Sequence, residues 1–248
     1  QTASFAVVAP GVSADVADQD YLGIAFPPGY AYPMTRILPT YSDQMLDKWM
    51  AGLSLPWLNN LQPRMTNTPQ GRNSVFFYNG RRACMGNTSC IPICPIQAKY
   101  DATVTLQKAL NTGLVQVLDR TVASRLIVDP ATNTISGVET KTYVQESGGP
   151  VTTAHLTATA YVLAAHAIET PRLLLNSATP QLPKGVANSS DQVGRNLMDH
   201  VVYLGWGLAK DPVYPYRGPR SSGGIESLRD GPFRKSFAAF RVDVGNEG

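Results

Sequence analysis

Cysteine is scarce in this chain. There are three in 248 residues, and the three histidines, His155, His166 and His200, lie far from them in sequence. Charge is scarce too: Asp, Glu, Lys and Arg make up 16%, and the net charge is +3 without any Lys/Arg run. That excludes a nucleic-acid partner, since phosphate-tracking surfaces concentrate basic side chains on one face. No apolar run approaches the ~18 residues that a bilayer-crossing helix needs. The best, Phe5-Ala6-Val7-Val8-Ala9, stops at Pro10, so no direct membrane span is expected. A dinucleotide phosphate loop, strand–Gly-x-Gly-x-x-Gly–helix, is also missing. Gly148-Gly149 and Gly223-Gly224 lack both the third glycine and a preceding buried strand.

Glycine and proline are plentiful at 21 and 19, which implies many turns and long irregular stretches. Apolar content of 43% is ordinary for a globular chain of one or two domains. Asn87-Thr88-Ser89 and Asn188-Ser189-Ser190 fit the glycosylation pattern, which is frequent by chance.

All three cysteines fall within Cys84-Met85-Gly86-Asn87-Thr88-Ser89-Cys90-Ile91-Pro92-Ile93-Cys94. Such gathering calls for a chemical reason, and three remain open. A disulfide would leave one thiol over. Zinc prefers four ligands and C-x₂₋₄-C pairs, whereas these spacings are C-x₅-C and C-x₃-C with no histidine in the loop. Three thiolates suit an iron–sulfur cluster with a vacant corner or a non-cysteine fourth ligand. Met85 is expected to point away, because a thioether is a poor ligand beside thiolates.

Along the chain, four stretches are expected. Residues 1–80 read as irregular apart from one helix capped by Ser42, with Leu46, Trp49, Met50 and Leu53 on a single apolar face and Gly52 at its end. Trp49 reads as core. Residues 81–99 are the cysteine loop. Residues 100–200 are more regular. Ala102 to Asn111 predicts a helix with Gly113 just past it, followed by a strand at Val115–Leu118. A meander follows over Val122–Val128, Ile135–Val144 and Val151–Leu156, turned at Asp129-Pro130 and Gly148-Gly149-Pro150. Tyr161-Val162-Leu163-Ala164-Ala165 is wholly apolar, as in a strand buried on both faces and parallel to Val115–Leu118. Thr170-Pro171 then opens a helix. Residues 201–248 begin another sheet. The order predicts a mixed α/β fold: the second half of a Rossmann-like dinucleotide domain with a β-meander, plus parts of a second domain. With the phosphate loop missing, the chain is expected to be a central excerpt.

Several of these segments together resemble the glucose–methanol–choline (GMC) flavoprotein oxidoreductases. They are Ala164-Ala165-His166-Ala167-Ile168-Glu169-Thr170-Pro171-Arg172-Leu173-Leu174-Leu175, Val193-Gly194-Arg195-Asn196-Leu197-Met198-Asp199-His200 and Cys94-Pro95-Ile96-Gln97-Ala98-Lys99. Gln70-Gly71-Arg72-Asn73-Ser74, the C-x₅-C-x₃-C-P loop, Gly185 to Asp191 and Leu228 to Arg234 resemble the family's cluster-bearing branch. That branch comprises the large subunits of bacterial glucose, gluconate, fructose and sorbitol dehydrogenases. The resemblance runs from about Tyr21 onward.

The resemblance implies FAD, contacted around Val122, Ala165, His166 and Asn196, and a [3Fe–4S] cluster on Cys84, Cys90 and Cys94. It implies oxidation of a sugar or polyol hydroxyl, with the base histidine outside this chain, so that no catalytic residue is assigned here. It also implies a small chaperone-like subunit, a cytochrome c subunit and a periplasmic place, held at the inner membrane through a partner. Two positions depart from the family pattern. Gln97 stands where the family has Gly, a residue suited to a positive φ. His166 stands where it has Gly or Asn, and His tolerates the same left-handed turn. Asp199-His200 reads as a structural hydrogen-bonded pair. The rival readings are a family remnant holding structural zinc and a plain flavin oxidase with idle cysteines.

Overall fold

The computed structural model describes residues 26–145 and 147–246. The start of the 1–80 segment, including Phe5–Ala9 and Tyr21, lies outside them. The fold is mixed α/β, and the contacts divide it into two units, Gln1–Thr112 with Gly207–Gly248, and Gly113–Trp206.

In the first unit, helix α1 (Tyr41–Met50) begins at Thr40 rather than Ser42. Thr40 Oγ1 accepts the Asp43 N–H and Asp43 Oδ2 accepts the Thr40 N–H, a reciprocal capping box. The helix buries Ser42 and Asp43, while Trp49, expected in the core, is 40% exposed. The polar first turn is held inside because it has partners there. Ser222 Oγ donates to Asp43 Oδ2 at 2.7 Å, Ser42 Oγ bonds Asn246 Oδ1, and Asn246 Nδ2 donates to Thr40 Oγ1 and to the Pro219 carbonyl.

Strand β1 (Met65–Asn67) pairs antiparallel with β7 (Gly223–Ile225), which pairs with β8 (Val242–Asp243). A hairpin joins β2 (Phe77–Tyr78) to β3 (Arg81–Arg82). Its two-residue turn, Asn79-Gly80, has both φ values positive, the geometry for which Asn-Gly is preferred. The apolar core is small: Leu58, Leu228 and Phe233, with Leu55, Leu61 and Ile225 against them. Beside it the buried Glu226 carboxylate is paired with the Arg229 and Arg241 guanidinium groups. Helix α2 (Thr103–Leu110) lies within the expected span, and Gly113 follows it at φ 71°.

The second unit contains the expected meander. Strands β4 (Thr121–Asp129), β5 (Thr134–Tyr143) and β6 (Val151–Leu156) pair antiparallel in chain order. Asp129 Oδ1 accepts the Ala131 N–H at the first turn, and Gly148 takes φ 71° at the second. Helix α3 (His166–Asn176) packs on β4. Ser177, fully buried, ties the two together: its Oγ donates to the Leu173 carbonyl and accepts the Leu126 N–H at 2.8 Å.

Three expectations fail here. Val115–Leu118 and Tyr161–Ala165 form no strand, and Val162 is 87% exposed. A wholly apolar strand needs neighbours on both sides, and every strand pair among the described residues is antiparallel and made elsewhere. Helix α3 also starts four residues before Thr170. Pro171 lies inside it, and the Thr170 hydroxyl accepts the Ala165 N–H. Among the described residues no helix is long and apolar enough to cross a membrane.

Candidate functional site

The cysteine loop is a surface turn stitched to two separate segments. At its start, the Cys84 N–H donates to the Asn73 carbonyl, and the Asn73 N–H donates to the Ala98 carbonyl. Asn73 thus joins the two ends of the loop through its backbone. Its side chain, fully buried, donates to the Tyr78 and Arg81 carbonyls and fixes the β2–β3 hairpin as well.

In the middle of the loop, Gly86 and Gly218 exchange backbone contacts. The Gly218 N–H donates to the Gly86 carbonyl and the Thr88 N–H to the Gly218 carbonyl. A Cβ on Gly86 would sit 3.0 Å from the Gly218 Cα, so a glycine at 86 is needed for the close approach. Past the last cysteine, Lys99 Nζ donates to the Cys90 carbonyl and the Gln97 N–H to the Cys94 carbonyl. Gln97 takes φ 56°, so the positive φ is kept although a Gln is less suited to it than Gly.

All three thiols are free. Cys90 is buried and the other two are half-buried. Burial pushes the Cys84 thiol up; the Gly86 N–H and the Arg72 guanidinium pull it down, and the other two cysteines push it up further. Burial also acts upward on Cys94, but the backbone N–H groups of Lys99, Ile96, Ala98 and Gln97 outweigh it and leave that thiol below its ordinary value. Arg81 is buried as well. Its Nη1 donates to the Ala98 carbonyl and its guanidinium lies over the Tyr100 ring, 5.6 Å from the centroid, while Nε and Nη2 have no hydrogen-bond partner among the described residues. Met85 points outward at 75% exposure, as expected of a non-ligand.

The other two cysteines and Arg72 are near enough to act on the Cys84 thiol, and amide N–H groups surround that of Cys94. The arrangement is not a closed ligand shell. Among the described residues no group of three or more His, Cys, Asp or Glu side chains is placed to hold a metal ion.

The four residues expected near a flavin all lie in the second unit. Val122 is on β4, opposite Lys141. Ala165 caps α3 and His166 is its first residue, at φ 58°, the left-handed turn expected of it. The His166 ring Nδ1 accepts the Ile168 N–H. Asn196 takes φ 56° and its side chain donates to Gln192 Oε1. Asp199 and His200 do pair, at 3.3 Å, but both are almost fully exposed.

Sequence reasoning missed Asn73 and Gly218, which hold the loop. The Asn-Gly hairpin signal was present for the first, but a contact from Gly86 to Gly218 leaves no local pattern. Asn188, within a glycosylation pattern, is buried; it bonds the Lys184 carbonyl and the Val193 N–H.

The sequence model of the GMC oxidoreductases matches residues 72–202, more than half of the chain, including the whole cysteine loop. The chain belongs to the GMC oxidoreductase family. It is similar to the fructose dehydrogenase large subunit of Gluconobacter japonicus, 34% identical over 87% of this chain and 36% of that protein. It is also similar to the 6'''-hydroxyparomomycin C oxidase of Streptomyces lividus, 31% identical over 58% of this chain and 27% of that protein. The match thus spans about a third of the length of the first relative and about a quarter of the second.

Proposed function

We propose that this chain is part of an FAD-dependent dehydrogenase of CH–OH groups that acts on a sugar or polyol and exports electrons through a [3Fe–4S] cluster on Cys84, Cys90 and Cys94. The observation that carries it is the joining of family membership to a loop that collects every cysteine of the chain. When bound, FAD supplies the hydride acceptor and the cluster a one-electron relay.

In this reading the chain's own residues hold and orient. Cys84, Cys90 and Cys94 would supply the thiolates that hold the cluster. The amide groups after Cys94 donate to sulfur, and Arg72 and Arg81 offset the negative charge; such hydrogen bonds and burial are what set a cluster's potential. Val122, Ala165, His166 and Asn196 belong to the flavin side, in the second half of a Rossmann-like domain. A cytochrome partner, a small accessory subunit and a periplasmic location at the inner membrane belong to the same reading.

The test is composition and electron flow in the protein expressed from its complete reading frame. Stoichiometric iron, acid-labile sulfide and flavin are expected. Cys90→Ser is expected to remove the whole cluster rather than a third of its iron, and to abolish cytochrome reduction while sugar still bleaches the flavin in a single turnover. Normal cytochrome reduction in that variant, or stoichiometric zinc without iron, would sink the relay and leave a flavin oxidase or a zinc-bearing remnant.

A further inference from the structure

The two units differ in charge. Residues 26–112 and 207–246 carry fifteen Lys and Arg against seven Asp and Glu, whereas residues 113–206 carry six against seven. In the first unit, three large aromatic side chains also stand in solvent beside the small apolar core: Trp57 at 59% exposure, Phe237 at 47% and Phe240 at 42%. Each is tied to a core residue through the backbone. Trp57 precedes the buried Leu58 in the 3₁₀ turn Pro56–Leu58. The Phe237 N–H donates to the Phe233 carbonyl and the Phe240 N–H to the Leu228 carbonyl. The Trp57 and Phe237 rings meet edge to face, with centroids 6.0 Å apart.

Basic side chains flank these rings in sequence. Arg234 and Lys235 end the 3₁₀ turn Pro232–Lys235, whose Phe233 is buried in the core, and both are exposed. Neither makes an ion pair with a described residue, whereas Arg229 and Arg241 are occupied by Glu226 and Asp243. From Ser227 to Arg241 the only acidic residue is Asp230. The stretch Arg234-Lys235-Ser236-Phe237-Ala238-Ala239-Phe240 is exposed at every position, so rings and free cations share one piece of surface.

A nucleic acid needs a longer array of cations than this. The core of a protein–protein interface favours aromatic rings and Arg but is depleted in Lys, whose ammonium group is strongly hydrated. An anionic lipid surface suits all five side chains. Aromatic rings settle at the headgroup level beside Lys and Arg. The Arg and Lys stems run along apolar surface while their charged ends stay in water, and lipid phosphates supply the missing counter-charge.

We propose that the surface formed by Trp57, Arg234, Lys235, Phe237 and Phe240 docks on an anionic phospholipid surface. Two cations and three rings make a weak, reversible contact rather than an anchor, since stable attachment takes stronger or multiple signals. Such a contact orients a protein that is brought to the membrane by other means. It goes beyond the redox reading, since it needs neither flavin nor cluster.

The test is co-sedimentation of the whole protein, without partner subunits, with vesicles of phosphatidylcholine alone or mixed equally with phosphatidylglycerol. Binding to the mixed vesicles and not to phosphatidylcholine is expected, and it should fall as salt is raised. Changing Arg234→Gln and Lys235→Gln together should weaken it roughly thirtyfold, equivalent to about 1 kcal/mol for each basic side chain, with the unfolding temperature unchanged. Trp57→Ser should weaken it as well, and if that variant does not fold, the double change decides alone. Absence of binding to the mixed vesicles overturns the proposal, as do equal binding to phosphatidylcholine and undiminished binding of the double variant. Retention on immobilised polyglutamate that depends on Arg234 and Lys235, without binding to either vesicle, assigns the surface to an acidic protein and overturns it too. None of these outcomes depends on the iron content or the electron transfer that test the cluster.

Discussion

The two units are held together in opposite ways. In the unit of Gln1–Thr112 and Gly207–Gly248, contacts that matter join residues far apart in sequence: Ser42 with Asn246, Asp43 with Ser222, Gly86 with Gly218. Most are polar and buried. In the unit of Gly113–Trp206, three strands pair in chain order and one helix lies on the first of them. There Leu126 and Leu173 are the buried apolar side chains among the described residues, while Val162, Met198, Val201, Tyr203 and Trp206 are each at least 87% exposed. The first unit spends its interior on positioning a loop. The second is a local sheet with much apolar surface outside it.

The difference is testable at its sharpest point, Gly218. It has φ 111°, and a Cβ there would fall 2.5 Å from the Thr40 Cγ2 and 3.2 Å from its Cβ. Thr40 cannot give way without loosening the α1 cap. Gly218→Ala is therefore expected to cost roughly 2–4 kcal/mol by combined backbone strain and overlap. Urea unfolding should show the loss, and thiol alkylation should show the cysteine loop opening. An unchanged midpoint would mean that the long-range stitching of the first unit has been overrated.

In the second unit the corresponding test is Ser177→Ala. The hydroxyl serves two buried backbone groups, the Leu126 N–H and the Leu173 carbonyl. Its loss leaves a buried donor unmet and should cost about 1–3 kcal/mol. Amide exchange should localise the effect to β4 and α3. If exchange rose equally around the cysteine loop, the units would not be independent as the contacts divide them.

What was legible in the sequence follows the same division. The meander could be read almost to its ends, because alternation, Asp129-Pro130 and Gly148-Gly149-Pro150 are all local signals. The cysteine loop was legible as a gathering of thiols, and Met85 as a side chain pointing outward. Its supports were not: Asn73 and Gly218 act through partners remote in sequence. Helix α1 misled because its apolar spacing pointed to Trp49 as core, whereas the buried polar turn at Ser42 and Asp43 is defined by Ser222 and Asn246. Tyr161–Ala165 misled for a related reason. An apolar run signals burial but does not name the neighbours that bury it, and a strand exists only with its neighbours. At His166 the reasoning from residue type to backbone held, since it takes a positive φ; Gln97 takes one too, although a Gln reads as ill suited to it.

The smallest expected effect concerns the surface of the meander. Ser124 Oγ donates to Glu139 Oε1 at 2.7 Å, and this bond is the main cause of a Glu139 carboxyl below its ordinary range. Arg125, Lys141 and His155 add smaller downward pulls. A carboxyl depressed in the folded state contributes stability that is present above the unfolded value, about 4.3, and fades as pH falls through the folded one. Ser124→Ala should move the Glu139 titration upward, followed by carbon NMR of the carboxyl, and should flatten the acid limb of stability slightly. At neutral pH the change should be slight, because exposed pairs are screened by solvent. Raised salt should remove the pulls of Arg125 and His155 while leaving that of Ser124, a short-range hydrogen bond. If salt alone restored the ordinary titration, the ion pairs would outrank the hydroxyl, and the second unit's polar contacts would be purely electrostatic. If Ser124→Ala alone restored it, even this exposed sheet would share with the first unit the use of a hydroxyl to fix a carboxylate, as Ser222 fixes Asp43.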